Sequence, residues 1–331
     1  MALSDRAAAI LARIEATPDP DEWGWETPED VSRLSVERMM ARSAGPVRTL
    51  HSRGSIRLAG EGVSGNSAPL DAVGDVMARF QRLVTTVGAA HAGDTSARGK
   101  PSRQIVARTR LRLLAGPAPG SVVLNLTPDT APDDELAPAG SVALFDQPTT
   151  QTVDRAVEEV VAILRAAADA GPDADESSLV GDVERLGPRV ASTLRIFAKT
   201  LDSSGFDAGL EWDEPFKPTF RASVRAADAG RLAGVIEGRE LDRADVVIVG
   251  VLRTVSDKTT PMEVEAAGSS FKIKGVPADA IHQTRPSPGD TVRVVARVSV
   301  RDGLDGERSE YSATNIEVVG PGTPQSVTES P

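Results

Sequence analysis

A long apolar segment near the C-terminus, Asp245–Arg253, restricts the possible folds more than any other feature of the sequence. Its run of valine and isoleucine favours a β-strand, because β-branched side chains pack well on a pleated surface. Gly250 interrupts this run. A glycine inside a strand often marks a bulge or a sharp bend, which the closure of a small barrel requires. We therefore expect a barrel strand that bends at Gly250.

The residues after this strand complete a small barrel. Two short strands are predicted at 261–266 and 271–274, followed by a short helix at 277–282 and two longer strands at 291–300 and 308–319. This order, with the helix between the third and fourth strands, resembles the OB-fold. An SH3-like barrel remains the alternative. The sequence thus predicts a five-stranded, OB-fold-like small β-barrel over residues 241–319.

The rest of the chain mixes helical and extended patterns, so the predicted fold class is α+β. Residues 1–44 are interpreted as N-terminal helices, residues 45–127 as a β-α-β-β module and residues 128–240 as a helical α+β middle module. The helix predicted at 69–90 carries apolar residues at helical spacing. Residues 320–331 are rich in glycine, proline and polar side chains, and are predicted to form a disordered tail.

Composition excludes several classes of function. The chain has no cysteine, which rules out disulfides, thiolate nucleophiles and cysteine-based metal sites, and its three histidines show no helical ligand spacing. A net charge of −11 opposes non-specific attraction to nucleic acid and to anionic membranes, and 3% aromatic residues leave few stacking side chains. No apolar stretch approaches the length of a membrane span, so a cytoplasmic protein without a membrane partner is expected.

Two glycine motifs resemble nucleotide-binding loops but depart from them. Gly60–Gly65 matches G-x-G-x-x-G, yet the preceding segment His51–Arg57 is largely polar, and the last glycine lies before Asn66–Pro69 and not in the first turn of the predicted helix. Gly93–Lys100 has five residues between its glycines, and Pro101 takes the place of the magnesium-binding serine or threonine. Both are interpreted as loops. No catalytic, cofactor-binding or metal-binding residue is predicted.

The second and third barrel strands form the usual ligand face of an OB-fold. A hairpin that turns at 267–270 would place Glu263 opposite Lys274 and Glu265 opposite Lys272. Opposite charges paired across strands stabilise a solvated sheet face. The paired lysines therefore favour a structural surface over an oligonucleotide groove, which would expose unpaired cations beside stacking aromatics.

Three basic residues in predicted barrel loops keep oligonucleotide binding open as an alternative. They are Lys258, Arg301 and Arg308.

An arginine pattern in the first module carries the functional hypothesis. Arg108, Arg110 and Arg112 alternate along a predicted strand, so all three would project from one face, while Leu111 and Leu113 would face the preceding helix. The three arginines could meet phosphate, an acidic partner or acidic segments of the same chain. The acidic balance of the chain favours a protein contact.

The order of the elements resembles a loose group of uncharacterised actinobacterial proteins. The features that carry this resemblance are the 69–90 helix, the arginine-rich hairpin, the 186–201 helix, a strand ending in Leu210–Trp212 and the terminal barrel. The resemblance implies the fold and attaches no function or site residues.

Two main hypotheses follow. The first is a non-enzymatic interaction protein, a subunit of a larger complex with an unidentified protein partner and no cofactor. The alternative is a nucleic-acid-binding accessory protein that uses the barrel and the arginine strand. A hydrolase or transferase with an unfamiliar site is a third possibility.

Overall fold

The structure, a computed structural model, describes residues 48, 50–97, 99–114, 122–136, 150–170, 176–255, 262–276, 278–303, 306–320 and 325–329. The predicted N-terminal helices at 1–44 and the loop residue Lys258 lie outside the described residues. From His51 onward the chain forms one unit, in which a layered α+β domain precedes a small barrel.

The layered domain consists of one sheet and a set of helices. Its elements are β1 (Arg53–Ala59), α1 (Leu70–His91), α2 (Arg103–Arg108), β2 (Leu111–Leu114), β3 (Val122–Pro128), α3 (Pro132–Leu136), α4 (Thr152–Asp169), α5 (Ser177–Leu186), α6 (Pro188–Ser203), β4 (Asp207–Asp213), β5 (Phe220–Val224) and α7 (Ala226–Gly238). The strands pair antiparallel in the order β2-β3-β1-β4-β5.

One face of this sheet packs against the helices, and the other face, which we call the open face, is not buried by a helical layer in the described part of the chain. On the central strand β1, Ile56 and Leu58 are fully buried, whereas Arg53 and Arg57 are exposed. This alternation is expected of an antiparallel sheet that is covered on one side only. The covered face and the apolar stripes of α1, α4 and α6 share a single hydrophobic core.

The structure joins the two modules that the sequence analysis separates at residues 127 and 128. Strand β4 pairs along the whole length of β1, with Leu210 opposite Ile56, and β5 pairs with β4. The described residues between 53 and 238 therefore form one sheet over one core. The pairing connects segments about 150 residues apart, and local sequence patterns do not encode such distant partners.

The C-terminal part forms the predicted barrel. Its elements are β6 (Arg243–Thr254), β7 (Met262–Ala266), β8 (Ser269–Lys274), α8 (Ala278–Thr284), β9 (Thr291–Gly303), β10 (Gly306–Val319) and β11 (Ser326–Glu329). Strands β6, β7, β8, β10 and β9 pair in that order, and the pairing of β9 with β6 closes the barrel. The pair β8–β10 is parallel, and α8 lies between β8 and β9 in the chain. The expected five-stranded, OB-fold-like barrel is confirmed.

Gly250 lies where β6 changes its neighbours. β6 pairs with β9 over residues 243–251 and with β7 over residues 251–254, and its register with β7 shifts between Leu252 and Thr254. A Cβ atom on Gly250 would lie 2.3 Å from the backbone oxygen of Glu265. Strand β7 therefore comes so close to β6 at this position that a side chain would not fit. This close approach is the reason that closure of the barrel requires a glycine here.

The tail contains a strand that the sequence analysis predicts as disordered. Ser326–Glu329 (β11) pairs antiparallel with residues 246–249 of β6, and Val327 packs against the barrel core. Because β7 pairs only with the C-terminal end of β6, the remaining length of that edge is free for β11. The prediction of disorder is wrong for these four residues.

The predicted register of the β7–β8 hairpin is wrong by two residues. Glu263 lies opposite Lys272, and Glu265 lies opposite Ser270. The turn comprises only Ala267 and Gly268, both of which have positive φ angles (50° and 76°), as a two-residue hairpin turn requires. Since a shift of two residues preserves the faces of a strand, the charged side chains still share the outer face.

Candidate interaction surface at the edge strand

Arg108, Arg110 and Arg112 do not lie on one strand, so the predicted alternating face is wrong. Arg108 ends helix α2, Arg110 follows the helix, and only Arg112 belongs to β2. The Ser102 side chain accepts a hydrogen bond from the Ile105 N–H (3.2 Å) and starts the helix as its N-cap. This cap is the local signal that the extended interpretation overlooked.

A side chain of α1 fixes the backbone on both sides of Arg110. The Gln81 amide donates to the Thr109 carbonyl (3.0 Å), and its Oε1 accepts from the Leu111 N–H (2.8 Å). Thr109 itself is fully buried. The Arg110 side chain, by contrast, is exposed. The backbone next to Arg110 is therefore held in place by hydrogen bonds, while the Arg110 side chain points into solvent.

The edge strand β2 carries exposed leucines. Leu113 is 60% exposed and Leu114 is 40% exposed, although Leu113 lies opposite the buried Leu126. Leu113 shares the strand face of Leu111 but is not buried against α1 as expected, because it lies on the outermost strand of the sheet. Leu111 alone of the β2 leucines packs against the core. Among the described strands, β2 pairs only with β3, so its outer edge is unpaired there.

Arginines precede these leucines in the chain. Arg112 forms an ion pair with Asp129, so one of the three predicted cations binds an acidic group of the same chain. The guanidinium groups of Arg103, Arg108 and Arg110 bind no described residue. We call the surface formed by these leucines and arginines the β2 edge surface. It consists of Arg103, Arg108, Arg110, Arg112, Leu113 and Leu114.

The opposite edge of the sheet is protected. Arg165 of α4 donates through Nε to the backbone oxygen of Arg221 on β5 (2.9 Å). A charged side chain on an edge carbonyl blocks the approach of another strand. The two edges of the sheet thus differ in their protection.

The predicted ligand face of the barrel carries two ion pairs that were not expected from the sequence, whereas Lys272 binds no described residue. Glu265 pairs with Arg253 (2.7 Å), and Lys274 pairs with Glu310 (3.0 Å). Such pairing is typical of a solvated structural face. Of the three candidate loop residues, Arg301 and Arg308 lie opposite each other in the β9–β10 register, and Lys258 is outside the described residues.

The Gly60–Gly65 loop has a structural explanation. The Gly62 N–H donates to the Gly205 carbonyl (3.0 Å), and a Cβ on Gly62 would lie 2.0 Å from the Ser204 carbonyl oxygen. The loop after β1 therefore packs directly on the turn that ends α6. This packing accounts for the glycine at position 62.

Two carboxylates are buried beneath the sheet. Asp154 accepts hydrogen bonds from Trp212 Nε1 (3.0 Å) and from the Gln151 N–H (3.3 Å). Glu214 forms an ion pair with Lys217 (3.0 Å). Burial, and next the charge of Asp154, raise the pKa of Glu214 above its ordinary value.

Replacing Glu214 with glutamine is expected to stabilise the protein more at pH 8 than at pH 4. Because its pKa is raised in the folded state, Glu214 binds a proton more readily in the folded than in the unfolded protein, so its contribution to stability falls as pH rises through the folded pKa. Glutamine does not titrate, so the variant does not lose this stability as the pH rises. Urea unfolding across about pH 4 to about pH 8 would measure the difference, and a stability difference that shrank with rising pH would contradict it.

Asp228 provides a control whose effect on stability changes with pH in the opposite direction. Burial alone would raise its pKa, but hydrogen bonds and charges from Arg225 and Arg231 outweigh burial and lower the pKa. Its stabilising contribution is therefore present at neutral pH and lost as pH falls through the folded pKa. Asp228→Asn should accordingly be less stable than the wild type at neutral pH, with the difference disappearing in acid.

Comparisons with protein families, characterised proteins and solved structures give no significant match to this chain. Its function must therefore be inferred from its own surfaces. Within the described part of the chain, no helix is both long and apolar enough to cross a membrane, and no three histidine or acidic side chains are grouped as metal ligands.

Proposed function

We propose that this protein is a non-enzymatic binding protein, a subunit of a larger complex, which contacts a protein partner through the β2 edge surface. The observation that carries the proposal is the exposure of Leu113 and Leu114 on a strand edge without a described neighbour. Soluble proteins usually protect such an edge with charge, proline or a covering element.

The backbone of β2 is oriented for the addition of a strand. The Arg110 carbonyl accepts a hydrogen bond from the Asp129 N–H (2.8 Å), so Arg110, Arg112 and Leu114 direct their backbone groups toward β3. Successive residues of a strand alternate in direction, which leaves the N–H and C=O of Leu113 pointing outward. An extended partner segment could pair with these groups by β-augmentation.

Charge favours an acidic partner over a second copy of this chain. Two copies paired through β2 would bring their Arg110 and Arg112 side chains together, and like charges across strands are destabilising. An acidic segment would instead meet arginines, which bind carboxylates through paired, charge-assisted hydrogen bonds. The partner we expect is therefore an extended segment that combines acidic and apolar residues.

A ten-residue peptide of alternating glutamate and valine tests this proposal by fluorescence anisotropy. Leu113→Asn and Arg110→Glu are each expected to weaken its binding at least about tenfold, equivalent to about 1.4 kcal/mol. Leu70→Asn is the matched control, since Leu70 is 86% exposed but lies on α1 outside the surface.

Oligonucleotides in the same assay distinguish the alternative. Phosphate contacts make affinity fall steeply with salt because counterions are released. Micromolar binding of single- or double-stranded DNA by the wild type, lost in Arg110→Glu, would contradict the protein-partner proposal and support a nucleic-acid-binding accessory protein.

A further inference from the structure

A groove of about 710 Å³ lies on the open face of the sheet and shares no lining residue with the β2 edge surface. Strands β1, β3, β4 and β5 form its floor, and the C-terminal end of α4 forms a wall. Its volume falls within the range of small-molecule binding sites. The residues that matter for its chemistry are Ser55, Arg57, Asp169, Gly209, Glu211 and Ser223.

Gly209 leaves the floor of the groove hollow. In the strand register it lies between Arg57 on β1 and Ser223 on β5. A Cβ atom at this position would lie 3.7 Å from the Cβ of Arg57, an ordinary contact distance. Packing of the sheet therefore does not require a glycine here, and its effect is to open space between two polar side chains.

Three of the five charged side chains around the hollow already have a partner. Arg221 forms an ion pair with Glu211 (2.7 Å), and Arg165 binds the Arg221 backbone. Two charged side chains of the lining bind no described residue, namely Arg57 and Asp169. Both are exposed. The groove thus offers one available cation and one available anion.

The hydroxyls of Ser55 and Ser223 also line the groove, and neither makes a hydrogen bond to a described residue. They add neutral donors and acceptors beside the two charges. A ligand with a single charge would pair with either Arg57 or Asp169 and leave the other side chain without a partner. A ligand that carries both charges can pair with both.

We propose that the groove binds a small zwitterion of the amino-acid or short-peptide class. Arg57 holds the ligand carboxylate, Asp169 holds its ammonium group, and the serine hydroxyls bind the atoms between them. The planar guanidinium can donate two hydrogen bonds to a carboxylate, which makes this contact directional. This site is independent of the β2 edge surface and of the function proposed for it.

Three related peptides test the charge requirements by NMR titration of the labelled full-length protein. Trialanine carries both charges, N-acetyl-trialanine lacks the ammonium group, and trialanine amide lacks the carboxylate. We expect trialanine to bind at least about tenfold more tightly than either blocked peptide. Free alanine, included as a fourth ligand, distinguishes an amino-acid site from a peptide site.

Two substitutions assign the contacts. Arg57→Gln is expected to abolish the preference for trialanine over its amide, and to keep the preference over the acetylated form. Asp169→Asn is expected to do the reverse. Both side chains are exposed, so the variants should fold, and their unfolding temperatures check this.

Arg53→Gln is the matched control, because Arg53 is exposed on the same face of β1 but does not line the groove. It should bind like the wild type. Gly209→Val fills the hollow and should abolish binding of every peptide. The proposal is overturned if the peptides bind equally, if none shifts the resonances of the groove, or if binding is unchanged in Arg57→Gln and Asp169→Asn.

Discussion

Replacing Gly250 with valine is expected to prevent the barrel from closing and to lower the free energy of unfolding by about 3 kcal/mol or more. The new Cβ would lie 2.3 Å from the Glu265 carbonyl oxygen and 2.8 Å from the Cβ of Ala266. The carbonyl belongs to the backbone of β7, so no rotamer change can relieve the overlap. Pairing with β9 over residues 243–251 holds β6 on the other side.

Urea unfolding followed by circular dichroism would measure this loss. Gly234→Ala in α7 serves as the control, because no atom lies within 4 Å of a Cβ added there. Alanine is favoured over glycine inside a helix by up to about 1 kcal/mol, so this variant should match or exceed the wild type in stability. If Gly250→Val were as stable as the wild type, β6 and β7 would be able to move apart without lowering the free energy of unfolding, and the expectation would be wrong.

The barrel was the most predictable part of the chain because its information is local. Alternating strands, a mid-strand glycine and a short helix follow one another within about 80 residues, and the closed barrel agrees with that pattern. The hairpin register was not predictable to the residue, since the Ala267–Gly268 turn depends on an alanine with positive φ, which is uncommon. The β11 strand was missed because its partner edge exists only after the barrel has formed.

The sheet and its surfaces were less accessible to sequence reasoning. Arg108, Arg110 and Arg112 stand out in the sequence, but their arrangement depends on the Ser102 cap and on the Gln81 side chain from another helix. The groove on the open face combines four strands and a helix end whose residues are far apart in sequence. Short-range periodicity cannot reveal a site of this kind.

A second substitution tests the packing beneath the central strand. In the strand register Gly54 lies opposite Trp212, and a Cβ on Gly54 would be 2.3 Å from the indole Cε3 and 2.7 Å from the Glu211 carbonyl oxygen. The indole cannot move aside easily, because it is buried and its Nε1 is held by Asp154. An aromatic ring that covers a strand glycine in this way fills the space a side chain would occupy.

Gly54→Val is therefore expected to destabilise the sheet by about 3 kcal/mol or more, although valine is a strong strand former. Gly209→Val separates these two effects, because it lies on the neighbouring strand with its Cβ directed into the open groove at an ordinary contact distance. That control should be as stable as the wild type or slightly more stable. Urea unfolding of the three proteins gives the comparison. If Gly54→Val were no less stable than Gly209→Val, the contact with Trp212 would not constrain β1, and strand propensity alone would determine stability at both positions.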